Sequence, residues 1–242
     1  MSAPNPERPP LLYFPGLDGT GRLLHRQSGL QQAYRVESLA YDQEAPQTYE
    51  QIAELAADRL QALGGGRPGV LLAESFGGAS ALTLTLRRPE LVERMVLCNT
   101  FAHFPRSLRL RLAARLGPWL PRRPAHPATR PLRGRFFFSP EISEQERREW
   151  WERTADVPLR AFGYRLRLVC GLDLRSKLGE IAVPTLVIAA PDDRVVPARC
   201  GRELAERLPQ CRLIEPRVGH AALIHPRIDI AQLLADPANW PF

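Results

Sequence analysis

The sequence predicts an α/β fold, a mostly parallel sheet with helices on both faces. Two observations predict it. Short, largely apolar runs recur along the 242 residues, at Leu11–Phe14, Val70–Ala73, Arg94–Cys98, Pro184–Ala189 and Cys211–Ile214. Segments with a helical spacing of apolar residues lie between most of them. Strands that alternate with helices belong to parallel sheets covered on both sides, and such strands read as apolar runs.

The elements follow in order. Leu11–Phe14 is a strand closed by Pro15-Gly16. Thr20 to about Tyr34 reads as a turn and then a helix, and Tyr34 to Leu39 as a strand. Thr48 to Leu63 places Ile52, Leu55, Ala56, Leu60 and Leu63 at helical spacing. Thr48 caps its start and Gly64-Gly65-Gly66 ends it. Val70–Ala73 is a strand, Gly77 to Arg87 a helix and Arg94–Cys98 a strand. Pro184–Ala189 is the next strand, Ala198 to Leu208 a helix, and Cys211–Ile214 the last strand. Ala221 to about Ala235 reads as the final helix.

The alternation breaks between about Phe101 and Cys170. That stretch is rich in arginine and proline and shows no convincing strand, so it reads as a helical insertion forming a cap or lid. The expected organisation is a core of residues 1–100 and 171–242, with the cap at 101–170 and a disordered tail at 1–10. Phe136-Phe137-Phe138 and Trp150-Trp151 either line a pocket or fix the insertion to the core.

Composition excludes several classes. Apolar content is ordinary for a globular protein, which argues against intrinsic disorder. No apolar run reaches the roughly 18 residues of a spanning helix, and the proline-rich start has no apolar signal core. A cytoplasmic protein is expected. Cys98, Cys170, Cys200 and Cys211 have no metal-ligand spacing and read as reduced, mostly buried thiols. The net charge is +7, and all 33 basic residues but Lys177 are arginine. Arg106, Arg109, Arg111, Arg115, Arg122 and Arg123 crowd the middle third. No nucleic-acid-binding motif or interleaved stacking aromatics accompany them, so no nucleic-acid partner is expected. They read as a solvated face, with anionic lipid or an acidic substrate as the lesser alternative, and together with the aromatics of the insertion they permit transient contact with anionic lipid. No amphipathic anchor helix stands out and no stable membrane insertion is expected.

The chemistry concentrates at strand ends. In Val70-Leu71-Leu72-Ala73-Glu74-Ser75-Phe76-Gly77-Gly78 a strand runs into a serine and a helix begins at once. Ala73 and Gly77 are small, two positions either side. A nucleophilic serine on a sharp strand-to-helix turn needs such neighbours to avoid clashes. A plain helix-capping serine is the rival reading. In Ala190-Pro191-Asp192-Asp193-Arg194-Val195-Val196-Pro197 an acid follows a strand, and the spacing to Val196-Pro197 favours Asp193 over Asp192. In Val218-Gly219-His220-Ala221 a histidine follows the last strand and opens a helix, with His225 and His25 as lesser candidates. The order Ser75, Asp193, His220 is that of a nucleophile, an orienting acid and a general base on this architecture.

After the first strand comes Phe14-Pro15-Gly16-Leu17-Asp18-Gly19-Thr20-Gly21. It lacks both the Gly-Lys-Ser/Thr of a phosphate loop and a G-x-G-x-x-G pattern. It reads as an oxyanion loop, with the Leu17 N–H as one donor and the Phe76 N–H as the other. Asp18 and Thr20 would hold the loop, and Asp18 is also a candidate for substrate contact.

These motifs resemble the α/β-hydrolase superfamily over essentially the whole chain. The resemblance implies that fold, with the superfamily's first two strands missing, and the triad Ser75, Asp193 and His220. Pro15 to Gly21, Glu74 to Gly78 and Arg88-Pro89-Glu90 also resemble the hydrolase-like half of plant plastid phytyl ester synthases. Those proteins transfer fatty acyl groups and carry a further acyltransferase-type region, which this sequence does not show. The expectation is a serine hydrolase cleaving a carboxylic ester or thioester through an acyl-enzyme. A small-molecule acyl substrate is implied, with no metal or organic cofactor. An acyltransferase moving a fatty acyl group to an alcohol is the alternative, and a non-catalytic binding protein the third.

Overall fold

The computed structural model describes residues 8–105 and 107–242. Its strands are β1 Pro10–Phe14, β2 Arg35–Ser38, β3 Gly69–Glu74, β4 Val92–Cys98, β5 Thr185–Ile188 and β6 Cys211–Ile214. Its helices are α1 Leu30–Ala33, α2 Tyr49–Gly64, α3 Phe76–Arg87, α4 Leu108–Leu116, α5 Arg130–Phe137, α6 Glu144–Arg153, α7 Leu159–Gly171, α8 Ala198–Arg207 and α9 Ile230–Ala235. The strands form one sheet in the order β2-β1-β3-β4-β5-β6. Every neighbouring pair is parallel. All strand C-termini therefore share one edge, where open α/β sheets place their chemistry.

Side-chain alternation along the central strands builds two cores. Leu12, Phe14, Leu71, Ala73, Met95, Leu97 and Val187 point to the face covered by α2, α3 and α8. Leu11, Tyr13, Val70, Leu72, Val96, Leu186 and Ile188 point to the other, covered by α1 and α9. Helix α2 starts where expected. Thr48 Oγ1 accepts from Gln51 N at 3.2 Å while Gln51 Oε1 accepts from Thr48 N at 2.8 Å, a reciprocal capping box. It ends at Gly65, whose φ of 59° needs a glycine.

Three expectations are corrected. Of the tail expected at 1–10, residues 1–7 lie outside the described residues, as does Arg106. Pro10 is not tail: it is buried and opens β1, a place where a missing N–H costs no ladder bond. The single helix expected from Ala221 to Ala235 is two pieces, a 3₁₀ turn Ala222–Ile224 and α9. Pro226 forces His225 into an extended backbone, and Asp229 caps the restart. The buried Gln27 amide bonds Leu223 O, Ile228 O and Ile230 N, closing the gap between them.

The third correction concerns amphipathicity. Helix α4 exposes Leu108, Leu112 and Leu116 along one side while burying Ala114 on the other. Leucine and arginine alternate in Leu108-Arg109-Leu110-Arg111-Leu112, a period of two in the sequence. That alternation hides a stripe that emerges only at helical spacing.

Helices α4 to α7 all fall between β4 and β5. The two ends of this stretch meet where Leu174 N donates to Ala102 O at 2.9 Å, beside a bridge between His103 and Asp173. No helix among the described residues is long and apolar enough to cross a membrane.

Candidate active site

Ser75 joins β3 to α3 with φ 51° and ψ −121°, a conformation that costs a non-glycine residue about 1–3 kcal/mol. The strain is held from both sides. Ser75 N donates to Cys98 O at 2.9 Å, and the Thr100 hydroxyl donates to Ser75 O. The small neighbours have steric reasons. A Cβ on Gly77 would lie 2.3 Å from Phe14 O, and one on Gly78 would lie 2.1 Å from Thr100 Oγ1. Helix α3 thus presses against β1 and the end of β4, and Ser75 sits at its N-terminus. The side chain is largely buried.

Asp193 and His220 come together from the loops after β5 and β6. His220 Nδ1 is 2.7 Å from Asp193 Oδ2. The other carboxylate oxygen, Oδ1, accepts from Val195 N at 2.7 Å and Val196 N at 2.9 Å. One carboxylate therefore caps its own turn and fixes the imidazole. Asp192 is exposed and makes neither contact. His220 lies in the loop before the 3₁₀ turn rather than opening a helix. No hydrogen bond joins the Ser75 hydroxyl to a described residue.

Asn99 ties the two loops together, and sequence reasoning missed it. It follows β4 with φ 46°, a left-handed conformation that asparagine tolerates. Its Nδ2 donates to Gly219 O at 2.8 Å and to His220 O at 3.0 Å. Its Oδ1 accepts from Ala190 N at 2.9 Å. The signal available in the sequence was an asparagine at a strand's C-terminal end, followed by Thr100.

The loop after β1 passes over Ser75: a Cβ on Gly16 would lie 3.7 Å from Ser75 Cβ. Asp18 Oδ2 accepts from Thr20 N at 2.9 Å and from Thr20 Oγ1 at 2.6 Å, so Asp18 holds the loop as expected of it. Among the described residues no backbone or side-chain acceptor takes the Leu17 or Phe76 N–H. The loop has a second support that the sequence did not show. Arg165 of α7 is buried and donates to Leu17 O at 2.7 Å, Asp18 O at 3.1 Å and Asp42 O at 2.9 Å. Its guanidinium also lies 5.5 Å from the Tyr41 ring centroid.

Glu74, next to the serine, accepts a hydrogen bond from the Tyr13 hydroxyl. Burial pushes its carboxyl up to about 7, with Asp18 adding to the rise. The Tyr13 hydrogen bond and His220 pull the other way without reversing it.

The remaining candidates lie apart. His25 Nε2 is 3.5 Å from Glu149, and His225 Nε2 is 3.6 Å from Glu141. Burial lowers both imidazoles below the usual histidine value. The aromatics do both things considered for them. Phe137, Phe138, Trp150 and Trp151 form one cluster with Leu23, Ile142, Ala221 and Ile224, and the Phe137 ring lies 5.8 Å from His220. Phe136, Phe138 and Trp151 also line a cleft of about 1280 Å³ between α5, α6 and the loops carrying Asp193 and Gly219, though Ser75 and His220 do not line it. Cys98 and Cys200 are buried, Cys170 and Cys211 are partly buried, and no disulfide joins any of the four. Among the described residues no group of three or more His, Cys, Asp or Glu side chains is arranged to hold a metal ion.

Comparison with known proteins gives a consistent result. Residues 12–233 match the alpha/beta hydrolase family. A protein of Cronobacter turicensis named "Putative carbamate hydrolase RutD" is 30% identical over 237 residues, covering 90% of this chain and 86% of that protein. The protein of the same name from Variovorax paradoxus is 32% identical over 236 residues, covering 87% and 84%. Among solved structures, the enol-lactonase of Burkholderia xenovorans superposes with a TM-score of 0.75 at 22% identity, covering 89% of this chain and 85% of that one. An esterase from Exiguobacterium antarcticum superposes with 0.78 at 18% identity, covering 93% and 90%. These two structures share the fold. On the strength of the family match along nearly its whole length, the chain belongs to the alpha/beta hydrolase family and is a hydrolase.

Proposed function

We propose that this hydrolase cleaves a carboxylic ester or thioester with Ser75 as nucleophile, His220 as general base and Asp193 as the orienting acid. The contact of His220 Nδ1 with Asp193 Oδ2 at 2.7 Å carries the reading. It assigns the Nδ1 proton to the carboxylate side and leaves Nε2 to accept a proton.

In this scheme the Ser75 oxygen attacks the acyl carbon as its proton passes to His220 Nε2. Asp193 stabilises the imidazolium without taking the proton. The Leu17 and Phe76 N–H groups receive the developing oxyanion, each donor contributing about 3 kcal/mol. His220 then protonates the leaving oxygen or sulfur. Water attacks the acyl-enzyme as it gives a proton to His220, and the adduct collapses as His220 returns that proton to the Ser75 oxygen, releasing the acid and free Ser75. The unclaimed N–H groups and the turn that presents Ser75 support these roles. The α4–α7 segment acts as the cap, because Phe137 reaches His220 and Arg165 reaches the loop beside Ser75. The relatives' name adds carbamates to the acyl compounds worth testing, since a carbamate presents the same carbonyl to the same nucleophile.

A fluorophosphonate probe tests the assignment. Covalent labelling mapped to Ser75 by peptide mass spectrometry is the expected result. Absence of labelling, or labelling at another serine, sinks it.

A further inference from the structure

Among the described residues, seven large hydrophobic side chains are exposed, and all but Phe242 lie between Leu108 and Phe136. Four of them form one face. Leu108, Leu112 and Leu116 repeat every four residues along one side of α4, with exposures of 81%, 55% and 52%. Trp119, 84% exposed, continues the stripe in the 3₁₀ turn that follows. The opposite side of α4 is the packed one. Ala114 is buried, Leu110 packs on the core, and Cys170 Sγ of α7 lies 3.8 Å from Leu110 O. At the turn, Gly117 meets Gly163 of α7 backbone to backbone, so the stripe is held outward by a rigid contact. Such a run of exposed leucine and tryptophan on a soluble surface signals a docking face.

Charge identifies what docks there. Arg111 and Arg115 are exposed on the same helix, three residues on from Leu108 and Leu112, and exposed Arg122 and Arg123 follow Trp119. Arg111, Arg115 and Arg123 form no ion pair with a described residue, and Arg122 reaches Glu44 only at 4.0 Å. Two occupants fit the apolar stripe. A second copy docked symmetrically would set the same arginines against each other, a like-charge contact with no acid to offset it. A surface of anionic lipid takes the leucines and tryptophan among its acyl chains and the guanidinium groups among its phosphates, the usual pattern of an interfacial helix. We propose that the outer face of α4, through Trp119, docks this protein on anionic lipid surfaces. The inference is independent of the Ser75 assignment.

Vesicle flotation of the full chain tests it. The lipids are phosphatidylcholine alone, and phosphatidylcholine with about a third phosphatidylglycerol. Binding to the anionic vesicles, at least tenfold tighter than to the neutral ones, is expected. Leu112→Ser/Leu116→Ser and Arg111→Gln/Arg115→Gln should each weaken it at least tenfold, with circular dichroism unchanged because all four positions are exposed. Arg199→Gln/Arg212→Gln removes the same charge from α8 and β6 and should leave binding nearly intact. No binding to anionic vesicles overturns the proposal. So does indifference to the leucine changes, which would mark attraction by net charge alone. A dimer in analytical ultracentrifugation that the leucine changes dissociate, without vesicle binding, assigns the face to a second copy instead.

Discussion

Arg165 donates to Leu17 O at 2.7 Å across 148 residues of chain. The bond joins α7, inserted between β4 and β5, to the loop beside Ser75. The guanidinium has carbonyls as its hydrogen-bond acceptors, and burial lowers its affinity for its proton. The nearby Asp18 and Asp42 carboxylates offset part of that burial cost, and the guanidinium fixes the backbone groups it bonds.

Removing that charge should loosen the loop before it unfolds the protein. Arg165→Met leaves the Leu17 and Asp42 carbonyls without this donor, each costing about 1–3 kcal/mol, while Asp18 O keeps its bond from Gln43 Nε2 at 3.1 Å. We expect a fall in Tm and a loss in kcat larger than any change in KM. Arg165→Lys, which keeps a donor and a charge, should recover part of kcat. Equal kcat in wild type and Arg165→Met, measured below the melting range, would show that the loop holds itself.

Asn99 should matter to both halves of the site. Asn99→Ala deletes three hydrogen bonds to Ala190, Gly219 and His220, about 1 kcal/mol each in net stability. Alanine also tolerates the left-handed backbone less well than asparagine. Chemical denaturation should show a loss of about 3 kcal/mol, with reduced turnover at temperatures where the variant is folded. A variant as stable and active as wild type contradicts the role.

Glu74 gives a pH signature. Its carboxyl titrates near 7 in the fold against an ordinary value of 4.5, so the folded state binds the extra proton between those values. Stability from this group is complete below about 4.5 and is lost as pH rises through about 7. Glu74→Gln, neutral throughout, should flatten the fall in Tm across that window. A wild-type Tm that rises steadily from pH 5 to 7.5, with the same slope in Glu74→Gln, would falsify the assignment.

Gly77 tests the turn itself. Its missing Cβ makes room for Phe14 O, a backbone atom that cannot step aside. Gly77→Ala should destabilise by about 1–3 kcal/mol or more and displace Ser75. The expected readout is lower fluorophosphonate labelling at temperatures where circular dichroism is native. Native labelling rates would mean that α3 can shift without cost.

Much of this was legible because strand ends carry short local signals. Ser75 shows itself by the strand before it and the small residues around it, of which Gly77 meets the Phe14 carbonyl and Gly78 meets Thr100. The loop of Asp18 and Thr20 was readable for the same reason, since its bonds span two residues. Asn99 and Arg165 were not readable. Each acts through contacts between residues 91 to 148 positions apart, which no local pattern encodes. The last helix was misjudged because its apolar spacing outweighed Pro226, and the α4 stripe was hidden by an alternation that mimics a strand.

The most direct measurement is hydrolysis of a p-nitrophenyl ester panel, from acetate to palmitate, by wild type and Ser75→Ala. The account predicts turnover by wild type and a loss of about 10⁴-fold or more in kcat in the variant, with an unchanged Tm. Ester turnover that survives in pure, folded Ser75→Ala would contradict it.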